Sequence, residues 1–222
     1  ARILYNRRND RLTRSVGRSD GGRGDMGASL KLGCIFLASG QSKRFQGNKL
    51  LSEFNGRPMI ETVLGNFPCE LFNQTIVVTR YAEVAVTAAQ RGFTVVENDG
   101  ADDSVARTIR LGLDALTPNL DGCLFSVCDQ PLLTARSIQA IVDEFIAHPD
   151  AIVALGYHGK RGNPVLFPRA LFSELSALAP GQSGGAVVAA HMPLLRIVET
   201  KNRLELVDID YRADAASLRP LF

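Results

Sequence analysis

The stretch Leu32–Lys49, which reads LGCIFLASGQSKRFQGNK, decides the fold. Its first part, Leu32–Ala38, is almost entirely apolar, as a parallel strand buried on both faces requires. The polar residues after Ala38 form a loop at the carboxyl end of that strand. Ligands bind at this edge of open α/β sheets, and glycines there let backbone amides approach phosphate oxygens. Arg44 and Lys49 add positive charge, so the loop is a candidate phosphate site.

This loop matches neither of the two common phosphate-binding patterns. Six residues separate Gly40 from Gly47, and Asn48 separates Gly47 from Lys49, whereas the Walker A loop needs four and none. The dinucleotide pattern GxGxxG is not present either. An ordinary charged surface loop is the alternative interpretation.

The rest of the chain alternates apolar runs with amphipathic segments, which is typical of repeated β-α units. The pattern predicts an α/β fold with a mostly parallel sheet. Strands are predicted at Leu32–Ala38, Gln74–Thr79, Phe93–Glu97, Gly122–Cys128, Ala151–Leu155, Gly162–Phe167 and Leu195–Glu199. Helices are predicted at Met59–Asn66, Tyr81–Gln90, Ser104–Leu116, Thr134–His148, Pro168–Leu178, Gly184–Ala190 and Ala213–Leu218.

Length and charge indicate one domain preceded by a tail. The chain has 222 residues, of which 45% are hydrophobic, enough for one substantial core. Residues 1–26 contain seven arginines and three aspartates, a net charge of +4, which leaves 2 − 4 = −2 for the remainder. The domain is therefore not basic, and no nucleic-acid partner is expected. We predict a disordered or extraneous arginine-rich tail over residues 1–28 and a single domain over residues 29–222.

The sequence shows no feature of a membrane or secreted protein. It has no run of eighteen apolar residues and no apolar segment after a basic start, so we expect a cytoplasmic protein with no membrane partner. The cysteines form no CxxC pair and have no histidine at ligand spacing, which predicts reduced, structural thiols at Cys34, Cys69, Cys123 and Cys128. The histidines show no mutual metal spacing and are predicted to be non-catalytic: His148, His158 and His191.

A second candidate site residue is Asp129, in the sequence Cys128-Asp129-Gln130-Pro131. It ends a predicted buried strand, and the proline makes the chain turn. A carboxylate at this edge is well placed to hold a divalent cation above the same crevice as the Leu32–Lys49 loop. A simple Asp-x-Pro turn is the alternative interpretation.

These motifs together resemble a known family. The loop is similar to the pattern L-A-x-G-x-S-x-R-[FM]-G-x-x-K of the nucleotidyltransferases that activate molybdopterin, and of the wider sugar-nucleotide pyrophosphorylase group; Gln46 stands where that family usually has glycine. Asp129-Gln130-Pro131 resembles the family's D-[QM]-P. Val207-Asp208-Ile209-Asp210 resembles its late D-I-D-T stretch, with Tyr211 in place of threonine. The resemblance extends from Leu32 to the C-terminus.

The resemblance implies a Rossmann-like, three-layer α/β/α nucleotidyltransferase fold and a set of residue roles. The nucleotide would be bound by Leu37, Ala38, Ser39, Gly40, Ser42, Asn98 and Thr108. The catalytic residues would be Arg44, on the leaving phosphates, Lys49, on the α-phosphate, and Asp129. Mg²⁺ would be held by Asp129 and Asp210, with Asp208 as the alternative to Asp210. A helix N-cap is the other interpretation of these late aspartates.

The resemblance also indicates where an acceptor would bind. Arg161–Phe167 resembles the family's G-[HN]-P-V-L-F strand, which places Gly162, Asn163 and Pro164 on the acceptor side, with Asn163 able to bond a pterin edge. Gly181–Ala186 resembles a family loop reading G-D-x-G-A, with Gln182 in place of the acid. Ser104–Gly112 resembles a nucleotide-side segment in which Thr108 occupies a serine position. For that segment and Asn98, helix capping and core packing remain the alternative.

The implied reaction transfers CMP from CTP to a molybdenum-molybdopterin acceptor, with a molybdenum hydroxylase as a possible client of the product. Two alternatives stay open. One is a guanylyltransferase, or a transferase acting on a sugar phosphate, with the same fold. The other is a non-catalytic chaperone that binds the finished cofactor. The Ala38-Ser39-Gly40 sequence lacks the Gly-Gly pair usual in the guanylyl branch, which favours CTP.

Overall fold

A computed structural model describes residues 3–5, 29–41, 45, 47–100, 102 and 104–209. Its strands are β1 (Ile3–Tyr5), β2 (Leu32–Ala38), β3 (Glu53–Phe54), β4 (Arg57–Pro58), β5 (Gln74–Thr79), β6 (Thr94–Glu97), β7 (Gly122–Val127), β8 (Ile152–Tyr157), β9 (Lys160–Pro168) and β10 (Leu195–Glu199). Its α-helices are α1 (Met59–Gly65), α2 (Ala82–Gln90), α3 (Val105–Asp114), α4 (Ala135–Ala147), α5 (Phe172–Ser176) and α6 (Gly184–Ala190).

Eight strands form one sheet in the order β1-β6-β5-β2-β7-β9-β8-β10. β2 pairs in parallel with β5 and β7, β5 with β6, and β8 with β10. β1 and β9 run against their neighbours. The predicted mostly parallel sheet is therefore confirmed.

Helices cover both faces of the sheet and give the predicted three layers. Cys34 and Phe36 of β2 pack in a core with buried residues of α1, α2 and α4, whereas Ile35 packs in a second core with α3, α5 and α6. This alternation follows from the two-residue period of a strand. α3 lies close against β2, because a Cβ on Gly112 would come 2.6 Å from Cγ2 of Ile35. The close approach holds α3 beside the loop that follows β2.

Most predicted elements form within one or two residues of their predicted ends. The stretch predicted as one helix at Pro168–Leu178 is instead a 3-10 turn at Arg169–Leu171 followed by the short helix α5. The predicted last helix, Ala213–Leu218, lies outside the described residues.

Two tight turns add features that the sequence pattern had not predicted. Asn55 (φ 50°) and Gly56 (φ 81°) join β3 to β4, a pair of backbone angles that an Asn-Gly turn favours. His158 (φ 51°) and Gly159 (φ 73°) join β8 to β9. Because two residues cannot make a crossover, β9 must return antiparallel to β8, and it enters the sheet between β8 and β7.

The predicted tail contributes one short strand. Ile3 of β1 pairs with Val96 and Tyr5 pairs with Val95 at the edge of the sheet. Ile3 and Leu4 remain 49% and 47% exposed, so β1 extends the sheet through its backbone and adds little to the core. The domain boundary at residue 28 stays a prediction, because residues 6–28 lie outside the described residues.

Candidate active site

A cleft of about 600 Å³ opens at the carboxyl edge of the parallel strands. β2 and β7 are neighbours, paired from Leu32↔Gly122 to Leu37↔Val127, so the loops that follow them emerge side by side. The start of α3 forms one wall, and β9 with the segment before α6 forms the other. This is the edge where ligands bind in open α/β sheets.

Two of the three residues predicted to be catalytic, Lys49 and Asp129, meet in this cleft. Lys49 belongs to a 3-10 turn, Lys49–Leu51, whose cap Asn48 accepts a hydrogen bond from the Leu50 amide at 3.1 Å. Lys49 Nζ lies 2.5 Å from Asp129 Oδ2, and the two side chains are 16% and 20% exposed. The pair places a fixed positive charge and a carboxylate at one point of the cleft. Arg44, the third predicted catalytic residue, lies outside the described residues, as does Ser42.

The second oxygen of Asp129, Oδ1, is suited to act as a ligand of a cation. Among the described residues nothing hydrogen-bonds to Asp129 Oδ1, although that atom is buried. The Ile209 amide donates to the Asp129 carbonyl at 2.9 Å, and Gln130 Nε2 donates to Asp208 Oδ1 at 2.8 Å. The chain thus runs beside Asp129 one residue before Asp210, which itself is not described. Oδ1 of Asp208 therefore accepts a hydrogen bond from Gln130. The assignment of the second metal ligand to Asp210, with Asp208 as the alternative, stays a prediction.

Within the described residues, no group of three or more histidine, cysteine, aspartate or glutamate side chains could hold a metal. A divalent cation here would therefore depend on ligands from the bound substrate or from the undescribed Asp210. Nucleotide-dependent enzymes commonly bind Mg²⁺ in this way, through one or two carboxylates plus phosphate oxygens.

The predicted nucleotide loop forms the end of the cleft beside β2. Leu37, Ala38, Ser39 and Gly40 all line it. Ser39 Oγ donates to the Val78 carbonyl at 3.1 Å, and the Tyr81 hydroxyl donates to the Gly40 carbonyl at 2.7 Å. Among the described residues, no atom lies within 4 Å of the point where a Gly40 Cβ would be.

Thr108 lines the cleft, whereas Asn98 lies behind it. Asn98 is 1% exposed; it accepts from Arg107 Nε at 2.8 Å, and its amide donates to Thr108 Oγ1 at 3.5 Å. Ser104 caps α3 by accepting from the Arg107 amide at 3.1 Å. Ser104 therefore caps α3, and Asn98 contacts the lining of the cleft through Thr108. Nucleotide binding by Asn98 stays a prediction.

The strand pleat separates the three predicted acceptor residues. Asn163 lines the cleft together with Arg161, Val165 and Phe167, at two-residue spacing. Gly162 belongs to the opposite face, where a Cβ on it would come 2.8 Å from Leu206. Pro164 is not among the residues that line the cleft. The structure does not bring Gly162 and Pro164 into the cleft. Sequence reasoning missed Arg161, although alternation along the predicted strand would have indicated it.

The far wall includes Ser183, Gly184 and Gly185, from the segment whose family resemblance lacks its acid. Gln182, which replaces that acid, accepts from the Ala179 amide through its side chain at 2.8 Å. Its own amide donates to the Ala179 carbonyl at 3.0 Å. Gln182 thus closes a turn and does not line the cleft.

The cysteines are unpaired thiols, as predicted. Cys128 lines the cleft but is only 2% exposed. Burial raises the pKa of the Cys128 thiol well above its usual range, and the adjacent Asp129 carboxylate raises it further. The thiol therefore stays protonated at neutral pH, which makes it a poor nucleophile. None of the three histidines lines the cleft.

Within the described part of the chain, no helix is both long enough and apolar enough to cross a bilayer.

The sequence matches the family described as the MobA-like NTP transferase domain over residues 34–195. Comparison with curated proteins finds no match.

Several solved structures share the fold over nearly their whole length. Rv0371c from Mycobacterium tuberculosis H37Rv is 24% identical, with a TM-score of 0.72 over 86% of this chain and 98% of that one. A nucleotidyl transferase from Methanothermobacter thermautotroptrophicus, Mth528, is 21% identical, with a TM-score of 0.74 over 87% and 98%.

Two further solved structures are complexes with ligands. Rv0371c has also been solved in complex with manganese (22% identity, TM-score 0.68, 85% and 97% covered). A CMP:2-keto-3-deoxy-manno-octonic acid synthetase complexed with CTP has a TM-score of 0.64 at 14% identity, over 87% of this chain and 98% of that one. At these identities the likenesses show the fold. Since the family match spans well over half of the chain, the protein belongs to the MobA-like NTP transferase domain family.

Proposed function

We propose that this protein transfers CMP from CTP to the phosphate of a molybdopterin-type acceptor, with release of pyrophosphate. The observation that carries the proposal is the Lys49–Asp129 contact, at 2.5 Å, beside a glycine loop at the carboxyl end of a parallel strand. A cation and a carboxylate placed together in a cleft are suited to binding a polyphosphate and its counter-ion.

In the proposed reaction an anionic oxygen of the acceptor phosphate attacks the α-phosphorus of CTP. The new bond joins the two phosphorus atoms through that oxygen. The bond from the α-phosphorus to the oxygen bridging to the β-phosphate breaks, and both electrons leave with pyrophosphate. The attacking oxygen is already anionic, so no general base is needed, and catalysis depends on positioning and charge neutralisation.

A few residues in and beside the cleft would have specific roles in this reaction. The backbone around Gly40, held by the Tyr81 hydroxyl, would lie against the triphosphate. Lys49 would stabilise negative charge on the α-phosphate oxygens, and Arg44 would bind the leaving phosphates. The buried thiol of Cys128 would add to the apolar lining beside the reacting atoms.

A divalent cation fits Asp129, whose Oδ1 is buried and has no hydrogen-bond partner among the described residues. Asp129 and Asp210 would hold Mg²⁺, which when bound neutralises charge on the phosphate oxygens. The manganese complex of Rv0371c supports a divalent cation in this fold. Lys49 would exchange its contact with Asp129 for the phosphate oxygens as the nucleotide enters.

The preference for CTP rests on the Ala38-Ser39-Gly40 sequence and is supported by the CTP complex of a structural neighbour. A molybdenum hydroxylase as the recipient of the product belongs to the same proposal and follows only from the family resemblance.

The test is pyrophosphate release from each of the four NTPs, with Mg²⁺, in the presence and absence of molybdenum-molybdopterin. We expect release only with CTP and the acceptor together. Thermal protection gives a second readout, because a ligand at 100 times its dissociation constant stabilises the native state by about 2.7 kcal/mol. A larger melting shift with GTP would contradict the cytidylyl assignment. Cofactor binding without any pyrophosphate release would favour the carrier alternative.

A further inference from the structure

We propose that Arg161 binds a second anionic group of the acceptor, in a subsite shared with Asn163 and Ser183. This group is distinct from the phosphate that reacts beside Lys49 and Asp129. The inference rests on the proposed function for the identity of the reaction, but it concerns the chemical class of the acceptor. In this proposal the acceptor is a flat ring system that carries an anionic group in addition to its phosphate.

The first argument is the position of Arg161 in the sheet. The antiparallel ladder between β7 and β9 ends at Phe125↔Val165. Beyond that pair the ladder does not continue. Asp129 lies four residues after Phe125, just past the end of β7, and Arg161 lies four residues before Val165, near the start of β9. The alternation of side chains turns both residues towards the same cleft. Arg161 and Asp129 therefore stand on opposite sides of the gap.

The second argument is that no carboxylate among the described residues pairs with Arg161. Among the described residues none lies within ion-pair distance of its guanidinium, in contrast to Arg107 and Arg196, which pair with Asp99 and Glu144. A terminal nitrogen of Arg161 lies 3.5 Å from the point where a Gly185 Cβ would be. The guanidinium thus reaches across from β9 to the first turn of α6, at this end of the cleft.

The third argument is the chemistry of the groups around it. A guanidinium presents several N–H donors in one plane, a geometry that matches the two oxygens of a carboxylate or phosphate. Asn163 adds an amide and Ser183 a hydroxyl to the same part of the cleft. Together these groups provide donors for an oxyanion and an acceptor for a ring N–H.

The cleft floor between the two charged ends is apolar. It is formed by Phe125, Val165 and Phe167, all at least nine-tenths buried. The rings of Phe125 and Phe167 pack edge to face, with centroids 5.7 Å apart. An apolar floor with polar groups at its rim suits a planar heterocycle. The acceptor body would lie on this floor, its phosphate towards Lys49 and its second anion towards Arg161.

The test uses two fluorescent probes, pterin-6-carboxylate and unsubstituted pterin, whose binding is measured by fluorescence anisotropy. The chain contains no tryptophan, so protein emission interferes little. We expect wild-type protein to bind the carboxylate at least about tenfold more tightly than the parent ring, since hydrogen bonds to charged groups are the strong ones. Arg161→Ala should remove this preference and leave thermal protection by CTP unchanged.

The matched control is Lys160→Ala. Lys160 is the neighbouring exposed cation of β9 and does not line the cleft, so its variant loses the same charge at a different place. It should keep the preference for the carboxylate. The inference is wrong if Arg161→Ala keeps the preference, if both variants lose it equally, if neither probe binds wild-type protein, or if Arg161→Ala also loses CTP protection. The proposed function fails separately, in the pyrophosphate assay on unaltered protein.

Discussion

Lys49 Nζ and Asp129 Oδ2 lie 2.5 Å apart, although 80 positions separate the two residues in the chain. The contact exists because β2 and β7 are adjacent parallel strands whose carboxyl ends emerge together. Each partner keeps the other neutralised in a cleft where both are largely buried. In the proposed reaction a nucleotide and its cation would replace both halves of this pair, with the phosphates on Lys49 and the metal on Asp129.

Asp129→Asn should abolish most of the transfer while leaving the protein folded. The amide keeps the shape of the side chain but loses the charge that a hard cation requires. Each ~1.4 kcal/mol of lost transition-state stabilisation lowers the rate tenfold, so we expect a decrease of roughly two orders of magnitude or more. Pyrophosphate release and circular dichroism on the purified variant measure both properties.

The control for Asp129→Asn is Asp121→Asn, at the opposite end of β7. Asp121 accepts from the Lys31 amide at 2.7 Å, and the amide oxygen of asparagine can still accept that bond. The turnover of the Asp121→Asn variant should remain near that of the wild type. Normal turnover in well-folded Asp129→Asn would remove Asp129 from the active site, and equal losses in both variants would indicate structural damage.

A double-mutant cycle should show that Lys49 and Asp129 stabilise each other in the absence of ligand. Lys49→Met leaves a partly buried carboxylate without its cation, and Asp129→Asn leaves the cation without its carboxylate. Each single change should lower the free energy of unfolding by roughly 1–3 kcal/mol. The double variant should lose less than the sum of the two, with a coupling of about 1 kcal/mol or more. Urea denaturation of the four proteins measures it, and strict additivity would show that the contact contributes nothing.

Tyr81→Phe should weaken nucleotide binding with little effect on the fold. The change removes the hydroxyl that donates to the Gly40 carbonyl at 2.7 Å and so releases the loop backbone. We expect a several-fold higher dissociation constant for CTP and a loss of stability of about 1 kcal/mol, the usual size for one hydrogen bond. Tyr157→Phe, outside the cleft, is the control. Identical CTP affinities in the two variants would show that this bond does not order the loop.

The free energy of unfolding should fall as the pH rises above about 8.5, the ordinary pKa of a thiol. Burial raises the pKa of Cys34, Cys123 and Cys128 in the folded protein. Below that pH the thiols are protonated in both the folded and the unfolded state, so they do not make the free energy of unfolding depend on pH. Above it the unfolded chain loses protons that the folded one keeps, so unfolding becomes easier by up to about 1.4 kcal/mol per pH unit for each thiol.

Urea denaturation between pH 7.5 and 9.5 measures this slope, and Cys123→Ala isolates one thiol. The variant is expected to be less stable at every pH because a buried side chain is shortened. Its slope above pH 8.5 should nevertheless be shallower than that of the wild type. An unchanged slope would mean that Cys123 does not stay protonated in the folded state.

A chain that starts at Gly27 should keep its fold and its affinity for CTP. It loses β1, but β1 lies at the sheet edge farthest from β7, and Ile3 and Leu4 are about half exposed. We expect at most a modest decrease in stability, measured by thermal unfolding with and without CTP and Mg²⁺. If removal of residues 1–26 abolishes the CTP effect, an arginine of that segment contacts phosphate.

Local pattern in the sequence was sufficient for the framework of the site. The apolar run Leu32–Ala38 followed by a glycine loop, and the apolar run that ends at Asp129, both predict strands whose carboxyl ends carry polar side chains. In a parallel sheet those ends share one edge, so the sequence could place Lys49 and Asp129 in the same region. The prediction for Asn163 came instead from the resemblance of Arg161–Phe167 to a family strand.

The tertiary structure alone decided which of the neighbouring residues face the cleft. On β9 a shift of one residue exchanges the two faces of the sheet, so Arg161 and Asn163 line the cleft while Gly162 packs against Leu206 on the other side. Asn98 was predicted to bind nucleotide, but its short side chain is bonded to Arg107 and Thr108 behind the wall. Such choices depend on the insertion of β9 between β7 and β8 and on the packing of α3 against β2. These are contacts between segments distant in the chain, and local spacing along the sequence carries no information on which of them form.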